Sequence, residues 1–227
     1  MDFTLTEEHL QAQKMVRDYA QKEIAPIIKE ADRSQTMNAN ILPRMGELGI
    51  LGICIPAKYG GQGFDYLTLA LVCEELEVMD TSLRVIMSVH MGLNSMALLQ
   101  WGTEEQKMKF LKPQAEGKKY AMFGLTEPGV GSDVVNMAST AKRDGGDYVI
   151  NGEKMWISLA TKAHHILWVA RTNPERPDPH DQLSAFIVET SWPGVECTHR
   201  LEFMGLKGIE NGVIRFDKVK VPRANLI

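Results

Sequence analysis

The sequence predicts an α+β chain: an all-α N-terminal domain over residues 1–117, then a small antiparallel β-barrel or sandwich domain over residues 118–227. Three observations carry this. The first half holds stretches of helical period bounded by capping residues and glycine stops. The second half is a series of short apolar runs separated by Gly, Pro, Asn and Asp, the pattern of many strands joined by turns. The change between the two occurs in one place, at about Lys118.

Thr6-Glu7-Glu8 can cap the first helix, whose apolar positions include Leu10, Met15, Val16, Tyr19, Ile24, Ile27 and Ile28. Pro26 should bend or divide it. A short helix fits Ile41 to Leu48 and ends at Gly49. The apolar run from Ile50 to Pro56 reads as buried and extended. Tyr59-Gly60-Gly61-Gln62-Gly63 is a glycine-rich turn. It lacks the third glycine and the βαβ setting of a dinucleotide fingerprint. Tyr66 to Met79 reads as a helix, and Asp80-Thr81-Ser82 breaks it and caps the next, Leu83 to Trp101. The density of Met, Leu, Val and Ala in that helix predicts burial nearly all round. Thr103-Glu104-Glu105-Gln106 is a capping box for a helix to about Glu116, with Gly117 as its stop.

In the second half, Tyr120 to Leu125 has the size and composition of a buried strand. Pro128 then removes a backbone donor, and Gly129 and Gly131 permit backbone angles that side chains forbid. The strand therefore delivers Thr126, Glu127, Ser132 and Asp133 to one rim. Val149 to Lys154 reads as a hairpin, because Asn151-Gly152 suits a type I′ turn. Further strand candidates are Met155 to Ser158, His165 to Ala170, Ser184 to Glu189, Gly194 to Thr198 and Val213 to Phe216. Asn173 to Asp181, with three prolines, is a loop.

Hydrophobic content of 44% and charged content of 24% are those of an ordinary globular protein. Net charge is −4 with no basic block, which gives nucleic acid no electrostatic footprint. No apolar run looks long enough to span a bilayer, and Met1 leads directly into a helix signal, so no membrane insertion and no leader peptide are expected. Cys54, Cys73 and Cys197 are widely spaced and read as reduced core residues of a cytosol-like compartment. His164 and His165 are adjacent; on a strand they would face opposite ways, so they are read as structural, and no metal site is expected.

Phe123-Gly124-Leu125-Thr126-Glu127-Pro128-Gly129-Val130-Gly131-Ser132-Asp133 closely resembles the flavin signature of the acyl-CoA dehydrogenase family. Two further stretches follow in family order, Trp156-Ile157-Ser158 and Phe216-Asp217-Lys218-Val219-Lys220-Val221-Pro222. The resemblance covers essentially all 227 residues. The family's additional C-terminal helical domain has no counterpart within them. The resemblance implies that FAD and an acyl-CoA meet between the helical and β domains. It implies that Phe123, Leu125 and Thr126 face the flavin ring, with Leu125 backbone groups and the Thr126 hydroxyl at its polar edge. It places Trp156 against the ring, Ile157 beside it and the Ser158 hydroxyl near flavin N5, with Gly131 in the signature turn. Ser132 matches a position that contacts both flavin and acyl-CoA. A flat apolar face and a few polar donors are what a flavin ring requires.

The reaction implied is α,β-dehydrogenation of an acyl-CoA thioester, with electron-transfer flavoprotein as acceptor. The family's base is a glutamate in the C-terminal domain, so no catalytic residue is assigned in this chain. Glu127 belongs to the signature turn. The 227 residues alone are expected to turn over little substrate, and the full-length family member is expected to be a homotetramer, cytoplasmic or, in a eukaryote, in the mitochondrial matrix. Leu83-Arg84-Val85-Ile86-Met87-Ser88-Val89 resembles the glutaryl-CoA dehydrogenase branch, where an arginine matching Arg84 binds a distal carboxylate with a serine matching Ser88 nearby. Val85 departs from that branch's serine. An ion pair of Arg84 with Glu74 or Glu75 is the alternative. Gly205-Leu206-Lys207-Gly208-Ile209-Glu210-Asn211-Gly212 is closer to acyl-CoA oxidases, which leaves an oxidase as a second enzymatic reading. A partner subunit that binds FAD or CoA without a base of its own is the third.

Overall fold

The computed structural model describes residues 4–227. Helix α1 (Glu7–Tyr19) begins at Thr6, whose hydroxyl accepts from the His9 amide while the His9 ring accepts from the Thr6 amide. It continues through a wide turn, Ala20–Ile24, and the chain breaks around Pro26 before α2 (Ile28–Ser34), as the proline predicts. α3 (Ile41–Glu47) follows. α4 (Tyr66–Met79) is capped by Asp65, and α5 (Thr81–Trp101) by Asp80. α6 (residues 104–115) opens with the reciprocal Thr103–Gln106 bonds of a capping box.

Two expectations for this half are corrected. Ile50 to Pro56 is buried but not extended: Ile50–Gly52 and Ala57–Tyr59 are single 3₁₀ turns. The chain folds back so tightly here that a Cβ on Gly61 would lie 2.1 Å from the Ile55 carbonyl oxygen. A short apolar run buries equally well as turns or as strand. α5 is long and apolar enough to cross a bilayer, contrary to the sequence reading, yet only half of it is packed within the chain. Leu93 and Trp101 on it are exposed, so it is not buried all round.

The second half is a single curled sheet of seven strands: β1 (Ala121–Gly124), β2 (Thr140–Asp144), β3 (Asp147–Ile157), β4 (His165–Arg171), β5 (Leu183–Glu189), β6 (Val195–Arg200) and β7 (Gly212–Val221). Their order is β1-β4-β2-β3-β7-β6, with β5 also on β4. The helical part followed by a small sheet is the architecture expected. The pairing is mixed, because β1 runs parallel to β4 and β2 touches β4 in parallel at Thr140–Arg171. Trp168 of β4 and Phe216 of β7 stack across the interior at 3.7 Å between ring centroids.

Asn151-Gly152 is not a hairpin turn. It lies inside β3, and the turn from β2 to β3 is at Gly145-Gly146, closed by the Asp144–Asp147 pair. Asn151-Gly152 instead marks a bulge against β7, where the register shifts and the Asn151 side chain accepts from the Lys218 amide at 2.8 Å. A Cβ on Gly152 would meet the Ser139 hydroxyl oxygen at 2.1 Å, which is why glycine sits there. Bulges and tight turns recruit the same residue types, so sequence alone confuses them. Cys197 is exposed on β6 and is not a core residue; Cys54 and Cys73 are half-buried, and all three are free thiols.

The helical half and the sheet are joined by a buried polar network. His90 of α5 accepts from the Ala121 amide at its Nδ1 (3.1 Å), with Nε2 3.3 Å from the Gln114 carbonyl. The Gln114 side chain bonds the Asn94 amide oxygen at 3.0 Å, the Ser95 hydroxyl at 2.6 Å and His165 Nε2. Asn94 in turn donates to the Met122 carbonyl at 2.9 Å. These bonds fix α5 and α6 against the first residues of β1 and β4.

Candidate functional site

The site is built where β1 ends against β3. Beyond Gly124 the chain leaves the sheet, and its carbonyls turn toward β3. The Leu125 carbonyl accepts from Lys154 Nζ at 2.9 Å, and the Thr126 carbonyl accepts from the Met155 amide at 2.9 Å. A trans peptide holds C=O and the next N–H antiparallel, so an inward Leu125 carbonyl sends the Thr126 N–H outward. Leu125 and Thr126 are half-buried on this rim. Two residues past Lys154, Trp156 is half-exposed and stacks against Phe203 at 5.7 Å. Ile157 and Ser158 behind it are buried. Thr126 and the Trp156-Ile157-Ser158 stretch, separated in sequence, are thus neighbours across one rim.

Gly131 and Ser132 are exposed in the turn that follows, and a Cβ at Gly129 or Gly131 would meet nothing within 4 Å. The turn is closed at its base by Glu127. Its backbone exchanges bonds with Val130, and its carboxylate accepts from the Ala138 amide at 2.6 Å and the Ser139 amide at 3.0 Å. Lys154 Nζ completes that carboxylate's shell at 2.8 Å. Burial pushes the Glu127 carboxyl up, but the bonds from Lys154, Ser139 and Ala138 outweigh it and hold the group below the usual carboxylate range. Burial pulls the Lys154 ammonium down, and Glu127 opposes that.

The backbone beside the rim is strained. Trp156, Leu159, Leu206 and Glu210 all take positive φ, between 50° and 62°. Each such residue costs about 1–3 kcal/mol and persists only where surroundings enforce it. Here the enforcing bonds join the end of β3 to the loop before β7: Leu159 N to the Ile209 carbonyl and Ala160 N to the Glu210 carbonyl, both 3.1 Å. The Glu210 carboxylate is itself tied to the Met37 amide at 3.3 Å, the Thr161 hydroxyl and Lys162 at 3.5 Å.

Phe123 lines an apolar groove of about 370 Å³ with Tyr66, Leu69, Met91, Met96 and Trp101. Arg84 and Ser88 lie one turn apart on α5 and touch each other, with Arg84 Nη1 3.2 Å from the Ser88 hydroxyl. The ion-pair partner of Arg84 is neither Glu74 nor Glu75 but Glu77, at 2.7 Å; Glu75 is taken by Arg17 at 2.6 Å. Lys154 belongs to this site although no motif marks it. Its signal was there: a lysine amid Met155-Trp156-Ile157 in a strand must be satisfied by a buried acceptor or point to solvent.

The rim suits a flavin on its own chemistry. It offers an outward backbone donor at Thr126, an aromatic face at Trp156, a hydroxyl at Ser158 and open backbone at Gly129 and Gly131. Among the described residues no cluster of His, Cys, Asp or Glu could hold a metal ion. Comparison with known proteins agrees with the motifs. The family model described as "Acyl-CoA dehydrogenase, N-terminal domain" matches residues 6–118, and "Acyl-CoA dehydrogenase, middle domain" matches residues 122–219. A probable acyl-CoA dehydrogenase of Bacillus subtilis (strain 168), YngJ, is 39% identical over 227 residues, all of this chain and 60% of its own length. Among solved structures, butyryl-CoA dehydrogenase from Megasphaera elsdenii superposes with a TM-score of 0.95 at 32% identity, covering 100% of this chain and 60% of its own. A glutaryl-CoA dehydrogenase from Mycobacterium smegmatis in complex with FADH2 gives 0.91 at 29% identity, covering 98% of this chain and 55% of its own. This chain therefore spans little more than half the length of the proteins it matches, and it belongs to the acyl-CoA dehydrogenase family.

Proposed function

We propose that residues 1–117 and 118–227 are the N-terminal helical and middle domains of an FAD-dependent acyl-CoA dehydrogenase that introduces an α,β double bond into an acyl-CoA thioester. The observation that carries this reading is the rim itself, where the outward Thr126 N–H, Trp156 and Ser158 stand together. FAD is the cofactor, and it supplies the hydride acceptor. Phe123, Leu125, Thr126, Gly131, Ser132, Trp156, Ile157 and Ser158 form its contact surface, and Ser132 also meets the substrate. No base is assigned to this chain. Its buried carboxylates near the rim, Glu127 and Glu210, are both held by protein donors. Electron-transfer flavoprotein is the acceptor, the assembly a homotetramer, and the compartment the cytoplasm or mitochondrial matrix, all by family resemblance.

The product of the complete reading frame should be yellow and release FAD on denaturation, and it should reduce an artificial acceptor with acyl-CoA. The 227 residues alone should show little turnover even with added FAD. A colourless product that cannot be reconstituted with FAD would sink the reading. Oxygen uptake with acyl-CoA and no other acceptor would instead identify an oxidase, which the wording of Gly205 to Gly212 favours. Flavin bound without turnover in the complete product would identify a non-catalytic FAD- or CoA-binding subunit.

Arg84, with Ser88, is assigned to the distal carboxylate of a dicarboxylyl-CoA. Its fork engages Glu77 and Ser88 and has further donors for a ligand. The Glu77 contact also favours a second reading, a surface ion pair of at most about 1 kcal/mol. Arg84→Met separates them. Loss of a desolvated charged contact should lower kcat/KM for a glutaryl-CoA-like substrate by about 2–5 kcal/mol while a butyryl-CoA-like substrate is spared. Equal behaviour of the two substrates makes Arg84 structural.

A further inference from the structure

We propose that the buried Lys154–Glu127 pair is the positioning element that sets the flavin-facing rim, with Lys154 holding three separate stretches of it in register. The proposal rests on the flavin reading above and extends it to residues that touch no ligand. Lys154 has no exposed surface, and its ammonium has three neighbours: the Leu125 carbonyl at 2.9 Å, Glu127 Oε1 at 2.8 Å and Met137 Sδ at 3.7 Å. The indole of Trp168 covers it from 5.4 Å.

Each contact controls a different part of the rim. The bond to the Leu125 carbonyl orients the peptide plane whose other side is the Thr126 N–H. The bond to Glu127 neutralises the carboxylate that receives the Ala138 and Ser139 amides. Glu127 thereby closes the loop from 127 to 139 on itself, and that loop displays Gly131 and Ser132. Lys154 also sits on β3 two residues before Trp156. One ammonium therefore ties the Leu125–Thr126 edge, the Gly131–Ser132 turn and the Trp156 strand to a common point. A core ion pair is weak as a source of stability, because desolvation offsets most of the attraction. Its value here is geometric: a lysine with two oxygen acceptors fixes the rim in one arrangement.

Lys154→Met alone leaves Glu127 buried without its cation and can unfold the chain. The informative variant is the double change Lys154→Met with Glu127→Gln, which removes both charges and keeps one amide oxygen as acceptor for one of the two backbone amides, Ala138 or Ser139. Two readouts are taken on the complete reading-frame product, without and with FAD. Amide hydrogen exchange in peptides spanning residues 125–132 should rise at least tenfold in the double variant, while peptides from α4 and α5 keep wild-type protection. FAD affinity should fall at least tenfold, with a shifted flavin absorbance maximum. Unchanged exchange in 125–132 overturns the positioning role. Faster exchange with wild-type FAD affinity and spectrum overturns its link to the flavin. Faster exchange in the variant when neither protein binds FAD overturns the flavin reading itself, and with it the proposal, a result distinct from the first two.

Discussion

Acidification from pH 7 to about pH 4.5 should cost on the order of 2–3 kcal/mol of folding stability for each of two buried histidines, His90 and His165. Burial pushes the His90 imidazole down to about 4. Burial, with smaller contributions from His90, His164 and Lys119, pushes His165 to about 3. Both rings are locked neutral by geometry. His90 Nδ1 accepts the Ala121 amide, so a proton there would oppose an N–H donor. His165 Nε2 receives the Gln114 side-chain amide in the same way. In the unfolded chain both titrate near 6.5. Above that value the two states bind equal numbers of protons and the stability is fully present. As pH falls below 6.5 the unfolded state takes up protons that the folded state refuses, and stability declines until pH reaches the folded values. The ion-paired carboxylates add their loss only lower, below about 4.5, so the histidine window stands apart. Denaturant unfolding at pH 7.5, 6.0 and 5.0 measures it. His165→Gln should make the slope between pH 6.5 and 5 shallower, with His90 and His164, both also held down by burial, supplying the remainder; a flat wild-type profile there would show that the network tolerates imidazolium.

Trp168→Ala should remove about 3–5 kcal/mol, a large share of the 5–15 kcal/mol that holds an ordinary domain together. Trp168 is fully buried and stacks on Phe216 with 12° between ring planes. β4 and β7 are not adjacent in the sheet, so this stack ties two distant strands across its curled interior. Truncation leaves a cavity that two strands held by their own ladders cannot collapse to fill. It also uncovers the Lys154 ammonium. Trp168→Phe should cost far less, because it keeps an aromatic face for Phe216 and removes an indole N–H that has no acceptor among the described residues. Equilibrium unfolding of the two variants decides the matter, and near-equal losses would mean that the stack contributes little.

How much of this was readable in the sequence differs by element. Local signals read well. The Thr103–Gln106 capping box, the break at Pro26 and the bounds Tyr66–Met79 of α4 involve residues within a turn of each other. What failed depended on distant partners. Ile50 to Pro56 has the composition of a strand, but no neighbouring strand receives it. Asn151-Gly152 has the composition of a turn, but β7 runs alongside and makes it a bulge. β2 leaves no strand signal, because Thr140-Ala141-Lys142-Arg143-Asp144 is mostly exposed and has no apolar alternation. The motifs mark Thr126 and Trp156-Ile157-Ser158 separately, and it is the fold that brings them side by side, through the bond of the Met155 amide to the Thr126 carbonyl. Glu127 was visible only as part of the turn, and its counter-ion lay 27 positions on, at Lys154. Pairings at that range leave no periodic trace.

The strand order has a consequence for how the chain acquires its shape in time. β3 finds its longest partner in β7, from Tyr148–Val221 to Ile157–Gly212, and β1 must wait for β4 before either edge of it is paired. Contacts between segments so far apart form slowly, because the loops between them must close first, whereas helices form in microseconds. On a ribosome, α1 to α6 emerge and can pack while β1 has no strand to receive it and β3 has only β2 on one of its edges. The apolar residues of β1, Met122 and Phe123, meanwhile rest on α5 through the Asn94–Met122 bond. That contact gives the growing polypeptide somewhere to store an unpaired strand edge until β4 is made, and it makes the helical half a template on which the sheet is completed last.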